Sequence, residues 1–166
     1  MKTIGPINTT CVECINKRLH KYRIRWEFEP YYNEIGIQEG VVFYEAELLH
    51  KPTLDDIKNV IIKHYNKEID EQILNGFSWN GYDVYLSIEN QFNYKAAYDL
   101  AIQTHGATLP IKFKFGSTIY PKYYTFTSID ELSDFYMSAI NYINNTLSKG
   151  WEQKDSIDWS EYEKYC

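Results

Sequence analysis

The run Tyr22-Arg23-Ile24-Arg25-Trp26-Glu27-Phe28-Glu29 alternates large apolar and charged side chains without a break. A period of two is the period of a strand. It puts Tyr22, Ile24, Trp26 and Phe28 on one face and the charges on the other. A strand with such a face needs a second layer to cover it. Pro30 has no ladder N–H to give and is expected to end the strand. Val41 to Leu48 reads as the return strand, with the turn-rich stretch 33–40 closing a hairpin.

The period then changes to that of helices. Thr53 can cap a helix whose first turn holds Asp55 and Asp56. Leu54, Ile57, Val60, Ile61, Tyr65, Ile69 and Ile73 follow at helical spacing, and Asn75-Gly76 supplies a stop. Asn80-Gly81 between short aromatic runs marks a second hairpin, because both residues tolerate positive φ. Ser87 reads as the cap of a second helix to about Thr104, expected to bury Phe92, Ala96, Ala97, Leu100 and Ala101.

Ile111, Phe113 and Phe115 alternate with lysines as a strand, and Gly116-Ser117-Thr118 turns the chain into a return strand from Lys122 to Phe126. Ser128-Ile129-Asp130-Glu131 has the pattern of a capping box. It opens a third helix with Leu132, Phe135, Tyr136, Ala139, Ile140, Ile143 and Leu147 on one face, closed by Gly150.

Hairpins and helices in this order predict an α+β fold, an antiparallel sheet with about three helices packed on it. The expected organisation is an N-terminal arm at 1–20, a single domain at 21–150 and a C-terminal tail at 151–166. A length of 166 residues suits one such domain, and 44% hydrophobic with 24% charged residues suits a globular core.

A net charge of −6 argues against binding nucleic acid, which requires a basic face. The cluster Lys17, Arg18, Lys21, Arg23 and Arg25 is the exception. It reads as a solvated lead into a strand, with a footprint for an acidic partner as the alternative. No apolar stretch has membrane-spanning length, and the first residues lack the apolar core of a signal peptide. Three cysteines are an odd count, which suggests synthesis in a reducing cytoplasm rather than a disulfide framework.

The residues offer little for catalysis. Cys11-Val12-Glu13-Cys14 is a C-x-x-C that could hold a metal or form a redox pair, but no second pair follows to complete a zinc set. The histidines His20, His50, His64 and His105 are scattered. The carboxylates fall on helix caps and polar faces, and the glycines at turns. The expectation is a protein without enzymatic activity or cofactor.

The stretch from Arg25 to Asp158 resembles a family of small phage and prophage proteins of gut bacteria, similar to the uncharacterised domain found in tail-fibre and tail-fibre-assembly proteins. The resemblance is carried by Arg25-Trp26-Glu27-Phe28-Glu29-Pro30-Tyr31, His50-Lys51-Pro52-Thr53, Tyr65-Asn66-Lys67-Glu68-Ile69-Asp70 and Gly76-Phe77-Ser78-Trp79. It continues through Leu86 to Lys95, Phe113-Lys114-Phe115-Gly116 and Gly150-Trp151-Glu152-Gln153-Lys154-Asp155.

The resemblance implies phage origin and a structural role in the virion, on capsid, neck or tail. The alternative is a tail or fibre assembly chaperone absent from the mature particle. Partners would be other phage structural proteins, with homo-oligomer formation left open and neither nucleic acid nor membrane expected. The aromatic share of 17%, with 16 Tyr and 4 Trp, suits contact surfaces. The residues expected to make those contacts are Trp26, Tyr31, Trp79, Asn90, Gln91 and Trp151.

Overall fold

The computed structural model describes residues 2–117 and 119–166. The chain has the α+β fold that its periodicities predict. In order it runs β1 (Thr3–Gly5), β2 (Val12–Asn16), β3 (Lys21–Tyr32), β4 (Gln38–Leu48), α1 (Leu54–Asn75), β5 (Phe77–Trp79), β6 (Tyr82–Val84), α2 (Ile88–Gln103), β7 (Ile111–Gly116), β8 (Pro121–Phe126), α3 (Ile129–Asp155) and the single turn α4 (Ser160–Glu163). Thr118, part of the expected turn after β7, lies outside the described residues.

The chain divides into two compact units, where the sequence suggests one domain. The first is Met1–His64 with Ser156–Cys166, and the second is Tyr65–Asp155.

The first unit holds a four-stranded antiparallel sheet in the order β1-β4-β3-β2. The expected arm at 1–20 is therefore part of this sheet: β1 pairs with Val41 to Phe43 and β2 with Lys21 to Ile24. Strands of three and five residues are too short to show a period, so the sequence hides them.

Pro30 does not end β3. It pairs with Val41, beyond the reach of β2, so its missing N–H breaks no ladder bond. Phe28 does not share a face with Trp26. A bulge between Trp26 and Glu29, with Glu27 at φ 53, sets two residues of β3 against one of β4. Phe28 then meets the Phe43 ring at 5.4 Å, whereas Trp26 stacks on Tyr44 at 5.9 Å.

The expected tail at 151–166 is also structured. Residues 151–155 continue α3, and Tyr162 of α4 is buried with its hydroxyl donating to the Arg25 carbonyl at 3.1 Å.

The start of α1 is capped reciprocally. The Asp56 N–H donates to Thr53 Oγ1, while the Thr53 hydroxyl and N–H donate to Asp56 Oδ2 at 2.7 and 2.9 Å. These bonds, with His50 adding to them, lower the Asp56 carboxyl from its ordinary 3.8 to about 2. A depressed folded-state pKa contributes stability that is complete above the ordinary value and lost as pH falls through the folded one. Asp56→Asn is therefore expected to lower the thermal midpoint at neutral pH and to flatten its decline between pH 4 and pH 2. Circular dichroism melts across that range measure both effects; parallel acid profiles would refute the cap's role.

The second unit is built on aromatic packing. Phe77, Trp79, Phe115, Phe126, Phe135 and Tyr94 form one buried cluster with Val84, Leu86, Ala101, Leu132 and Ala139. The β5–β6 hairpin turns at Asn80-Gly81, with φ 48 and 77. Ser128 caps α3 as expected, accepting from the Glu131 N–H at 3.2 Å.

Gly150 does not close α3. It is buried inside the helix, and a Cβ there would lie 2.2 Å from Ile69 Cδ1 of α1. The glycine allows a close helix–helix approach.

Of the face of α2 expected to be buried, Ala101 is in the core and Ala97 is half-buried, while Phe92, Ala96 and Leu100 are exposed; Tyr94 joins Ala101 in the core instead.

Candidate functional site

Beside α2, the second unit has a cleft of about 660 Å³, lined by Asn75, Asp83, Val84, Tyr85, Asn90, Lys114, Gly116 and Ser117. Three local structures build it. The β5–β6 hairpin brings Asp83, Val84 and Tyr85 to one wall. Ser87 caps α2 by accepting from the Asn90 N–H at 3.2 Å, which fixes Asn90 at the first turn. The end of β7 supplies Lys114, Gly116 and Ser117; Gly116 takes φ 76, and a Cβ there would come 2.7 Å from the Tyr120 carbonyl oxygen.

The lining is chemically mixed. Asn90 spends its amide N–H on the Tyr85 carbonyl at 2.8 Å, and Asn75 donates to the Glu71 carbonyl at 3.3 Å. Each keeps its amide oxygen as an acceptor. Asp83 and Lys114 bring opposite charges to the wall. These groups suit orienting a bound chain through hydrogen bonds.

The second unit also leaves several large apolar side chains in water. Ile88 and Phe92 are 86% and 72% exposed, and Ile119 and Tyr120, just past Ser117, are 78% and 77% exposed. Large apolar side chains left in water to this degree suit contact with a protein partner.

The structure sorts the residues expected from sequence. Asn90 lines the cleft. Gln91 lies next to it and donates to the Leu86 carbonyl at 2.7 Å, tying α2 to the hairpin strand. Trp26 and Trp79 are not contact residues: both are buried in cores, and the Trp79 indole N–H donates to Asp134 at 2.9 Å. A two-residue period places a tryptophan in the core as readily as at an interface, so sequence could not separate the two. Tyr31 and Trp151 are exposed and are not among the residues that line the cleft.

Sequence reasoning missed Asp83, Tyr85, Lys114 and Ser117, because the first three read as strand residues of hairpins and Ser117 as part of a turn. A signal was present for Ile88 and Phe92, because α2 has apolar residues around most of its circumference, more than one buried face requires.

Cys11 and Cys14 do not converge. Three residues apart in an extended chain, they turn to different neighbours: Cys14 meets the Tyr22 hydroxyl, and Cys11 lies near Glu161, Lys164 and Tyr162. Burial pushes the Cys11 thiol up, away from the reactive thiolate. Among the described residues no group of three metal-ligating side chains occurs.

A smaller groove of about 450 Å³ in the first unit is bordered by Thr10, Glu13, Arg23, Arg25 and Glu45. Its cations are already paired. Arg25 donates to Glu13 at 2.6 Å, Glu45 at 3.4 Å and the Thr10 carbonyl at 3.2 Å, and Arg23 to Glu47 at 3.1 Å. Lys21 also pairs with Glu47, so three of the five basic residues noted in the sequence are neutralised within the sheet.

Fold and site together define an α+β protein of antiparallel hairpins with a largely polar cleft in its second unit, and no helix among the described residues is long and apolar enough to cross a membrane. Comparison with family models, with curated proteins and with solved structures finds no match to the chain.

Proposed function

We propose that the chain is a non-enzymatic bacteriophage structural protein, held in the virion by protein–protein contacts at the cleft of the second unit. The observation that carries this reading is the set of large apolar side chains, Ile88, Phe92, Ile119 and Tyr120, left exposed on the unit that also holds a cleft of hydrogen-bonding groups. Apolar anchors beside a few oriented polar groups are the usual make-up of an interface centre. The phage context comes from the sequence resemblance. Contacts repeated over many copies in a particle allow each one to be weak.

Mass spectrometry of purified particles is the test. The chain is expected in them, and a Phe92→Asp, Ile119→Asp double variant is expected to be lost from particles while its circular dichroism stays unchanged. Both positions face water, so the folded state tolerates the charges. A chain absent from mature particles, yet co-purifying with a fibre or tail protein from infected cells, would replace this reading with that of an assembly chaperone.

A further inference from the structure

We infer that copies of this chain associate head to tail, the tip of the β3–β4 hairpin of one copy docking on the outer face of the β7–β8 hairpin of the next. The tip is apolar and held in shape. β1 pairs with β4 only at Val41 to Phe43, and β2 with β3 only at Lys21 to Ile24, so among the described residues Tyr31 to Glu39 have no further strand beside them. There Ile35, Ile37 and Tyr32 are 79%, 59% and 54% exposed. Asn33 fixes the loop: its Oδ1 accepts from the Ile35 and Ile37 N–H groups at 3.1 and 2.9 Å, and its amide donates to Glu39 at 2.8 Å. Gly36, at φ 80, completes the reversal. A loop already ordered loses little entropy on docking.

The outer face of the second hairpin follows from its register. Phe115 and Phe126 are buried in the aromatic cluster, so alternation turns Lys112 and Lys114, with their partners Thr125 and Tyr123, to the other side. All four are exposed. The Lys112 ammonium lies 4.7 Å from the centre of the Tyr123 ring, so an aromatic plane and a lysine stem form one patch. Of these residues only Lys114 also lines the cleft, so the inference stands apart from the role proposed there.

Charge selects the occupant. No Lys or Arg occurs between Arg25 and Lys51, and no Asp or Glu between Asp99 and Asp130. The tip carries Glu34 and Glu39, the outer face Lys112 and Lys114, and among the described residues none of the four forms an ion pair. Each surface therefore lacks the counter-charge that the other supplies, and each adds exposed apolar area to it. Tip against tip, or face against face, would set like charge on like. An anionic lipid surface would repel the tip for the same reason. A contact between two different patches uses one patch on each copy and leaves the other free, so it propagates into rings or open chains.

Sedimentation velocity on the purified full chain is the test. Species larger than a dimer are expected to grow with concentration and to shrink as salt is added. Glu34→Lys and Lys112→Glu are each expected to weaken association about tenfold. An equal mixture of the two variants restores it, because the tip of each then meets a face of opposite sign on the other. Both positions are exposed, so circular dichroism should stay unchanged. Glu34→Gln and Lys112→Gln, which add no charge of the wrong sign, should show the same defect in part. A chain monomeric at every concentration, a closed dimer as the only larger species, association that neither charge reversal alters, or a mixture that fails to recover it would each overturn the inference.

Discussion

Phe135→Ala is expected to lower the stability of the second unit by about 3–5 kcal/mol. Phe135 is fully buried on α3 and is the hub of the aromatic cluster. Its ring lies 5.0 Å from Tyr94, 5.2 Å from Phe126, and 5.3 Å from both Trp79 and Phe115. Removing it takes away apolar burial and leaves a cavity among rigid rings that cannot collapse into the space. Edge-to-face contacts add to the loss, because the ring quadrupoles favour them beyond area alone. The midpoint of guanidinium denaturation measures the effect. Phe135→Leu, which keeps much of the volume, should lose markedly less. A loss under about 1 kcal/mol for the alanine variant would mean that Phe135 does not organise the cluster.

Arg25→Ala is expected to destabilise the first unit by about 3 kcal/mol. The side chain is only 7% exposed and serves Glu13, Glu45 and the Thr10 carbonyl at once, with its guanidinium over the Phe43 ring. Truncation leaves the Thr10 carbonyl without its donor and Glu45 with only the longer Arg23 pair at 3.9 Å, while Glu13, half in water, is rehydrated. That partial rescue holds the cost near the lower end for a broken buried pair. Arg25→Met should recover part of the loss by keeping an apolar stem over Phe43. Denaturation at low and high salt separates this interaction from surface pairs such as Lys95–Asp99, since a buried pair is screened little. A cost that vanishes in high salt would refute the assignment.

What could be read from sequence follows from how local each signal is. The Asn80-Gly81 hairpin and the Ser87 and Ser128 caps depend on a few adjacent residues, and the structure has them where the sequence puts them. Pro30 and Gly150 misled for the same reason in reverse. Their local preference for ending an element was overridden by context: a missing neighbour strand at Pro30 and a close helix at Gly150.

The face of α2 was legible only at Ala101. Apolar residues lie almost all round it, and only the surfaces offered by the aromatic cluster decide that Tyr94 and Ala101 turn inward. The cleft was legible at Asn90 alone, because Asp83, Tyr85 and Lys114 meet through three-dimensional approach of segments far apart in the chain.

The glycine at 150 gives up about 1 kcal/mol of helical propensity relative to alanine. In return the two backbones lie near enough for Ile69 to fill the notch where a side chain would stand. One added methyl would act as a wedge, prising the helices apart along their length rather than denting one spot. The spacing of that pair is thus set by an atom the residue does not have, and a search for tolerated replacements would have to enlarge position 150 and shrink position 69 in the same step.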